Sequence, residues 1–569
     1  MKIHYQNEFS QLRNRRTLRS CAFLIFLLSA HSIADTFQGV SPNIAGRDSF
    51  YHFAHAQLYA QRGILDQSFP WAAYSVLRTN NADLWYGFHC LLLPLASTSD
   101  AVAGMKLCGV FLPVLMMVLF AWAMHREKVP LPYLWPLLLF VSAPSETYRC
   151  LMIRPQVISM GLCALLLSFL GKGKLRYVFL CTLALTFVHE TIFWICPLIT
   201  GVFLFMEYLQ TRKWRLKPLE ASVLGVAAGI ALHPNPIGAI RSLYVQSAGL
   251  AIAHLTRQPV DTPGELGPLG LMPFVTKFGP LFFLWFCVIG LFWMQRIYRI
   301  HRTQQRQPKR KDSGAPPALR ETTLKQTALT LSVFFSALSV FQSARGTDLW
   351  AVFAVYFMAL VVRDFIRENP HLKSLIAHKA LLVRLDVPAL MIFLLILSAA
   401  YTWPRVTISM QRSGIPPYRM ARSTKWLQEN TPAGSLVYHA DWSQFHELFF
   451  WNKHNRYPGG FDPIFLYSYD PHLYGFMRSL YKLQQSAAGN RATLPVDNHQ
   501  LQDIPRVLQH DFHASYVFVQ RKQNPGLFTL LQSDLHMPMV YSDGDDAIFF
   551  ADGGVSNPVP QEEKAFSYR

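Results

Sequence analysis

Apolar runs long enough to cross a lipid bilayer recur from about residue 20 to residue 403, and past that point the chain turns to short, mixed segments. Runs at 20–37, 104–124, 129–144, 155–171, 176–189, 191–210, 218–233, 280–296, 324–342, 349–366 and 385–403 predict an α-helical polytopic membrane protein of about 11 transmembrane helices. Every second connector is basic: 13–19, 125–128, 172–176, 212–217, 296–311 and 363–379. The positive-inside rule places these in the cytoplasm, together with the N-terminus. The remaining connectors then face outside: a long first outer loop at 38–103, then 145–154, His189-Glu190, 233–279 and 342–348.

After the last run the pattern becomes that of a soluble α/β domain. A helix is predicted at 420–429 and another at 527–532, with strands at 435–438, 515–519, 538–541 and 547–550. The reading is thus a transmembrane domain at 1–403 and a C-terminal domain at 404–569 on the outer, periplasmic side of a cell inner membrane. Residues 307–317 (QPKRKDSGAPP) read as a flexible cytoplasmic loop, and no internal repeat is visible.

Composition agrees: 51% of residues are hydrophobic and only 15% are charged. A net charge of +19 would suit nucleic acid, but the basic residues sit in short blocks between apolar runs, so membrane lipids are their expected partners and nucleic acid is not. Six of the eight cysteines lie in or near apolar runs. Cys90 and Cys150 form the one pair placed in outer loops, and no CxxC or zinc-type cluster exists. There is no N-x-Ser/Thr sequon. The basic flank at 13–19 followed by a short apolar core could be a cleaved signal peptide, and an uncleaved first helix is the reading adopted.

The candidate chemistry gathers in the outer connectors. Asp48-Ser49-Phe50-Tyr51-His52 opens a helical pattern that runs to Gly63. A carboxylate at a helix start with imidazoles one turn on can handle protons or face a diphosphate. Asp48 and Gly63 are also favoured helix-end residues, so both could be punctuation. The second outer connector holds Glu146, Arg149 and Arg154, and a later one Arg345 with Asp348. Guanidinium groups grip phosphate oxygens bidentately, and they pair equally well with lipid headgroups. His189-Glu190 interrupts an apolar run; a tight turn between two short helices would explain it, but polar groups so near the hydrocarbon are costly, which favours a functional role. In His233-Pro234-Asn235-Pro236-Ile237-Gly238 the prolines explain a helix break, and His233 and Asn235 could line the space it opens. In the C-terminal domain, Asp441-Trp442-Ser443-Gln444-Phe445 and residues 455–463 suit sugar recognition or a domain core.

The Asp48-Ser49-Phe50-Tyr51-His52 stretch at the exit of a first membrane helix resembles the D-x-[YF]-Y-H element of archaeal-type oligosaccharyltransferase catalytic subunits. More broadly, the architecture is similar to the GT-C superfamily of membrane glycosyltransferases. The resemblance implies Asp48 as catalytic carboxylate, with Tyr51 and His52 shaping the donor site. The W-W-D-Y-G element of oligosaccharyltransferases is absent, and the second outer connector offers Glu146 alone rather than paired acids. Neither asparagine transfer nor a divalent cation is therefore expected, and no cofactor is implied. The expected activity is transfer of a sugar from a polyprenyl-phosphate donor to a glycan, lipid or protein acceptor. The donor- and acceptor-binding candidates are Tyr51, His52, Glu146, Arg149, Arg154, His189, Glu190, His233, Asn235 and Arg345. The rival readings are a flippase of lipid-linked sugars, which ordinarily shows inverted repeats, and a non-catalytic assembly subunit.

Overall fold

A computed structural model describes residues 2–261, 264–305, 316–368, 386–486 and 504–551. Positions 307–315 of the expected loop, and 306–311 and 369–379 of the last two basic stretches, lie outside the described residues. Among the described residues, seven helices are long and apolar enough to cross a membrane, or nine if two bent helix pairs each form one span. The chain divides into two compact units. One comprises 1–46, 85–232 and 264–415, the other 47–84, 233–263 and 416–569.

The first unit is helical. Its spans include Thr17–Gln38, Ala101–Arg126, Leu271–Tyr298, Arg320–Phe341, Gly346–Glu368 and Ala389–Arg412. The run at 129–144 does not form the single span that its hydropathy predicts. Its helix covers only Leu134–Val141, eight residues. At about 1.5 Å per residue that falls well short of a bilayer core of about 30 Å. Pro130, Leu131 at φ 52° and Pro132 delay the helix start, and Pro144 opens the next helix, Pro144–Cys150. That helix meets Pro155–Gly171 at a bend of 109°. The expected span at 176–189 is a shorter apolar helix, Leu175–Val188. It packs closely on Lys217–Ala231 through Gly225 and Gly229, where an added Cβ would lie 2.8 Å from Thr182 Cβ and 2.7 Å from Thr186 Cβ respectively. Small residues one turn apart let two backbones approach, which is how helices associate where water supplies no driving force.

The basic stretch at 363–379 begins inside a helix rather than in a connector. Arg363, in Gly346–Glu368, is 1% exposed and donates to the Glu127 carbonyl from Nη1 at 3.0 Å and to Asp364 Oδ1 from Nε at 2.9 Å. Ser168 Oγ donates to Glu127 Oε1 at 2.7 Å, and Lys172 Nζ lies 3.0 Å from Oε2. These partners satisfy a charge set that burial would otherwise penalise heavily. All eight cysteines are free thiols.

The second unit is built on a four-stranded sheet. β1 (Val437–His439) runs parallel to β2 (Tyr516–Gln520); β3 (Met539–Ser542) and β4 (Asp546–Phe550) complete the order β1-β2-β4-β3 with antiparallel pairings. All four strands and the helices Ala421–Asn430 and Pro525–Gln532 fall within two residues of their sequence expectation. The middle strand β2 is buried along its length, while edge strand β3 is mostly exposed, as an edge requires. Residues from the long loop after the first span join this unit: Tyr457 N donates to the Trp71 carbonyl at 2.8 Å, and Trp71 Nε1 donates to the Lys453 carbonyl at 2.8 Å. Asp261 joins it too, through Arg478 Nε at 2.9 Å and the Tyr474 hydroxyl at 2.7 Å.

One carboxyl in this unit gives a stability test. Asp546, 1% exposed, accepts from Ser423 Oγ at 2.7 Å and Gln520 Nε2 at 3.4 Å. Burial, aided by the charges of Asp543 and Asp545, pushes it up to about 6. The unfolded chain releases this proton near pH ~3.9, so stability falls as pH rises through that window and the cost is complete above it. Asp546→Asn should therefore raise the thermal midpoint at neutral pH, by on the order of 1–3 kcal/mol of stability, and change little near pH ~4. Melting curves of the two proteins at both pH values check this; equal shifts at both would contradict it.

Candidate functional site

The candidate residues fall into both units, and each set is described within its own. In the second unit, Asp48–Arg62 is a helix with Asp48 as its first residue. The residue before it, Arg47, takes the cap position and makes no side-chain capping bond. Asp48 thus ends no helix by capping; its carboxylate, 26% exposed, lies 3.4 Å from Nε2 of His446, whose side chain is 2% exposed. The remaining polar groups here form a charge lattice. Arg47 Nη1 bonds Ser443 Oγ and lies 3.4 Å from Asp441 Oδ2. Glu447 is held by Arg419, with Nε at 2.9 Å from Oε2 and Nη2 on the other oxygen, and Arg47 Nε approaches it at 3.8 Å. Burial pushes the Glu447 carboxyl above its ordinary value, against the pull of Arg419 and Arg47.

Tyr51 and His52 are 2% exposed. Tyr51 packs 4.4 Å from Phe461 and 6.0 Å from Phe449, and His52 lies 5.9 Å from Phe461, ring centre to ring centre. Burial raises the Tyr51 phenol well above its usual range. Both side chains brace the helix that presents Asp48. His233 and Asn235 are spent on loop contacts. His233 Nε2 meets the Asp83 carbonyl at 3.0 Å, while Asn235 caps Pro236–Tyr244 through Gly238 N at 3.0 Å and donates to the Asn80 carbonyl at 2.9 Å.

The aromatic stretches of the C-terminal domain split in two. Asn455 and Tyr457 are fully buried, with intrachain partners. Trp442, Gly459, Gly460, Asp462, Tyr474 and Arg478 instead line a narrow cleft. Only glycine fits at 460, because an added Cβ would sit 2.1 Å from Phe445 Cγ.

In the first unit the three candidate arginines come together on a residue the sequence did not single out. Glu265 Oε2 accepts from Arg149 Nη1 at 2.9 Å and Arg154 Nη1 at 3.1 Å, and Oε1 accepts from Arg345 Nη2 at 2.9 Å. Arg149 also grips Asp348 with two parallel bonds of 2.6 and 2.8 Å. Burial alone would raise the Glu265 carboxyl, but Arg154, Arg345 and Arg149 outweigh it and hold the group well below the usual carboxylate range. Three guanidinium groups face two directly bonded carboxylates, so the contact set carries an excess of positive charge. Arg345 is the most exposed of the three, 40% against 16% and 14%, and its Nη1 donates to no described residue. Glu146, fully buried, lines a small crevice with Arg149, Arg154 and Asp348. His189, with Nδ1 2.9 Å from Ser159 Oγ, lies within reach of the charges of Arg345 and Arg154. With Glu190 it forms the turn between Leu175–Val188 and Ile195–Thr211, and both are buried.

No protein-family model matches the chain, and no curated protein matches it. Solved structures do. ArnT from Cupriavidus metallidurans in the apo state is 12% identical with a TM-score of 0.53, over 95% of this chain and 100% of that one. The same protein bound to undecaprenyl phosphate is 13% identical with a TM-score of 0.54, over 94% and 99%. ArnT is a GT-C glycosyltransferase. The chain has the GT-C fold. At this identity the likeness concerns the fold, which is that of a polytopic membrane protein with an appended C-terminal domain, as the hydropathy pattern predicts. The GT-C fold thus extends over both compact units.

Proposed function

We propose that this protein is an integral membrane glycosyltransferase that moves a sugar from a polyprenyl-phosphate donor to an acceptor hydroxyl on the outer face of the membrane. The observation that carries the reading is the GT-C fold over nearly the whole chain, in a likeness that includes an ArnT structure bound to undecaprenyl phosphate. Asp48 supplies the chemistry: a partly exposed carboxylate fixed at the start of an otherwise buried helix. It takes the acceptor proton as the acceptor oxygen bonds to the anomeric carbon and the carrier phosphate leaves, in one displacement with inversion. Within the first unit, the arginine set has the chemistry to bind a phosphate group, with Arg345 as its most exposed guanidinium. The cleft beside Trp442 and Tyr474 offers aromatic faces and polar rims of the kind that sugar rings pack against.

Mass analysis of lipid-linked sugars and surface glycans in a strain lacking this protein tests the reading. One sugar addition should disappear from the glycans while its polyprenyl-phosphate-linked form accumulates. An unchanged profile of both would rule the activity out under those growth conditions.

A further inference from the structure

We propose that His446 is the positioning residue of Asp48: as an imidazolium it holds the carboxylate ionised and directs one oxygen inward, leaving the other for the acceptor hydroxyl. For its consequence in transfer, this rests on the glycosyltransferase reading; the pairing itself does not.

The argument begins with the tautomer. His446 Nδ1 lies 2.9 Å from the Ser443 carbonyl oxygen. A carbonyl can only accept, so Nδ1 carries a hydrogen. Nε2 is then either a lone pair or a second N–H, and it faces Asp48 Oδ1 at 3.4 Å. A lone pair this close to an ionised carboxylate is repulsive, so the contact, an ion-pair distance rather than a hydrogen bond, favours a charged ring. Asp48 keeps partial solvent access while the imidazole is almost wholly enclosed, and Arg47 precedes Asp48 in the chain. Partial hydration favours the ionised carboxylate, and the carboxylate in turn favours the charged ring.

The two acids near it in sequence have arginine partners of their own. Glu447, next in sequence, is engaged by Arg419 and Arg47. Asp441 is engaged by Arg47 and by Ser443, whose hydroxyl donates at 2.7 Å. His439 of β1 also feels the His446 charge, and burial pushes it down to about 4, so it is neutral near pH ~7. Tyr51 and Phe461 flank the ring at 6.2 and 5.3 Å between centres and supply packing. In the transfer step the acceptor proton goes to the Asp48 oxygen turned away from His446. The new C–O bond forms as the bond from the anomeric carbon to phosphate oxygen breaks, and the electron pair leaves with the carrier phosphate. The imidazolium proton stays where it is.

Full-length protein labelled with ¹⁵N-histidine reads the pairing without an activity assay. Difference spectra against His446→Gln assign the resonances, and His446→Asn serves should the first variant not accumulate. The wild-type ring should hold both protons to a pH at least about one unit higher than in Asp48→Asn, a tenfold difference in proton affinity. Once neutral, it should carry its hydrogen on Nδ1. A difference smaller than this, or a neutral ring with its hydrogen on Nε2, overturns the proposal while leaving the glycosyltransferase reading intact. In a transfer assay, wild-type activity should decline at alkaline pH as the ring deprotonates, and His446→Gln should lack that decline.

Discussion

Replacing Asp48 with asparagine should leave a folded, membrane-inserted protein whose transfer activity is lower by roughly 10²–10⁴-fold. The two halves of this outcome have separate causes. Asparagine keeps the size and the polar rim of the side chain, but it cannot accept the proton of an acceptor hydroxyl. A loss of that size is a barrier increase of about 3–5 kcal/mol. Stability should change far less. The helix Asp48–Arg62 has Arg47 at its cap position with no side-chain bond, so no cap is lost. The negative charge in its first turn contributes only ~0.3–1 kcal/mol through the helix dipole. The His446 contact involves a carboxylate that remains 26% exposed. Protein amount in membranes and turnover per molecule, measured together, separate the effects. Full activity in Asp48→Asn would leave Asp48 without a catalytic role.

Arg149→Met should behave in the opposite way and damage the fold before it damages chemistry. In this cage of charges Arg149 touches both Asp348, by two bonds, and Glu265, by a third. Methionine fills similar volume but leaves Asp348, whose side chain is 9% exposed, without its bidentate partner. Stranding a buried charge in this way costs about 3–5 kcal/mol. Glu265 should suffer less, since Arg154 and Arg345 remain on it. The combined variant Arg149→Met with Asp348→Leu removes both charges, and should recover much of the loss. Thermal inactivation in detergent of the single and double variants checks this. A single variant as stable as wild type, or a double variant no better than the single, would mean that the cage does not hold the first unit together.

These two residues also mark what could be read from the chain alone. Asp48 was visible because a carboxylate followed by aromatic and imidazole residues opened a helical pattern straight after an apolar run, and short-range periodicity of that kind survives folding. Strands such as β2 and β4 were legible for the same reason, since compact apolar runs bounded by turn residues leave few alternatives. The arginines were visible as charges in apolar company, but their shared partner was not. Glu265 sits in Pro-Gly-Glu-Leu-Gly-Pro, a loop 111 positions beyond Arg154, and nothing in its neighbourhood hints at a guanidinium. His446 carried a weak signal, since His446-Glu447 interrupts the apolar run of Phe445–Trp451. Its pairing with Asp48 spans almost 400 residues and appears only once the first loop joins the sheet-containing unit. The run at 129–144 misled because hydropathy counts apolar residues but ignores the prolines at 130, 132, 136 and 144 that break it. His233 and Asn235 look chemical in sequence, yet the fold spends them on backbone groups freed by the Pro234–Pro236 break.

The most direct test of the central claim is transfer in detergent micelles. Lipid-linked sugars extracted from a strain lacking the protein serve as donor, cell-envelope extract from the same strain serves as acceptor, and mass spectrometry follows both pools. Micelles have no two faces, so a flippase has nothing to do there, whereas a transferase still has its chemistry. The account predicts that the wild-type protein converts one polyprenyl-phosphate sugar to free polyprenyl phosphate and adds that sugar to the acceptor pool, and that Asp48→Asn does neither at a comparable rate. A wild-type protein that restores surface glycans in cells but leaves both pools unchanged in micelles would contradict it.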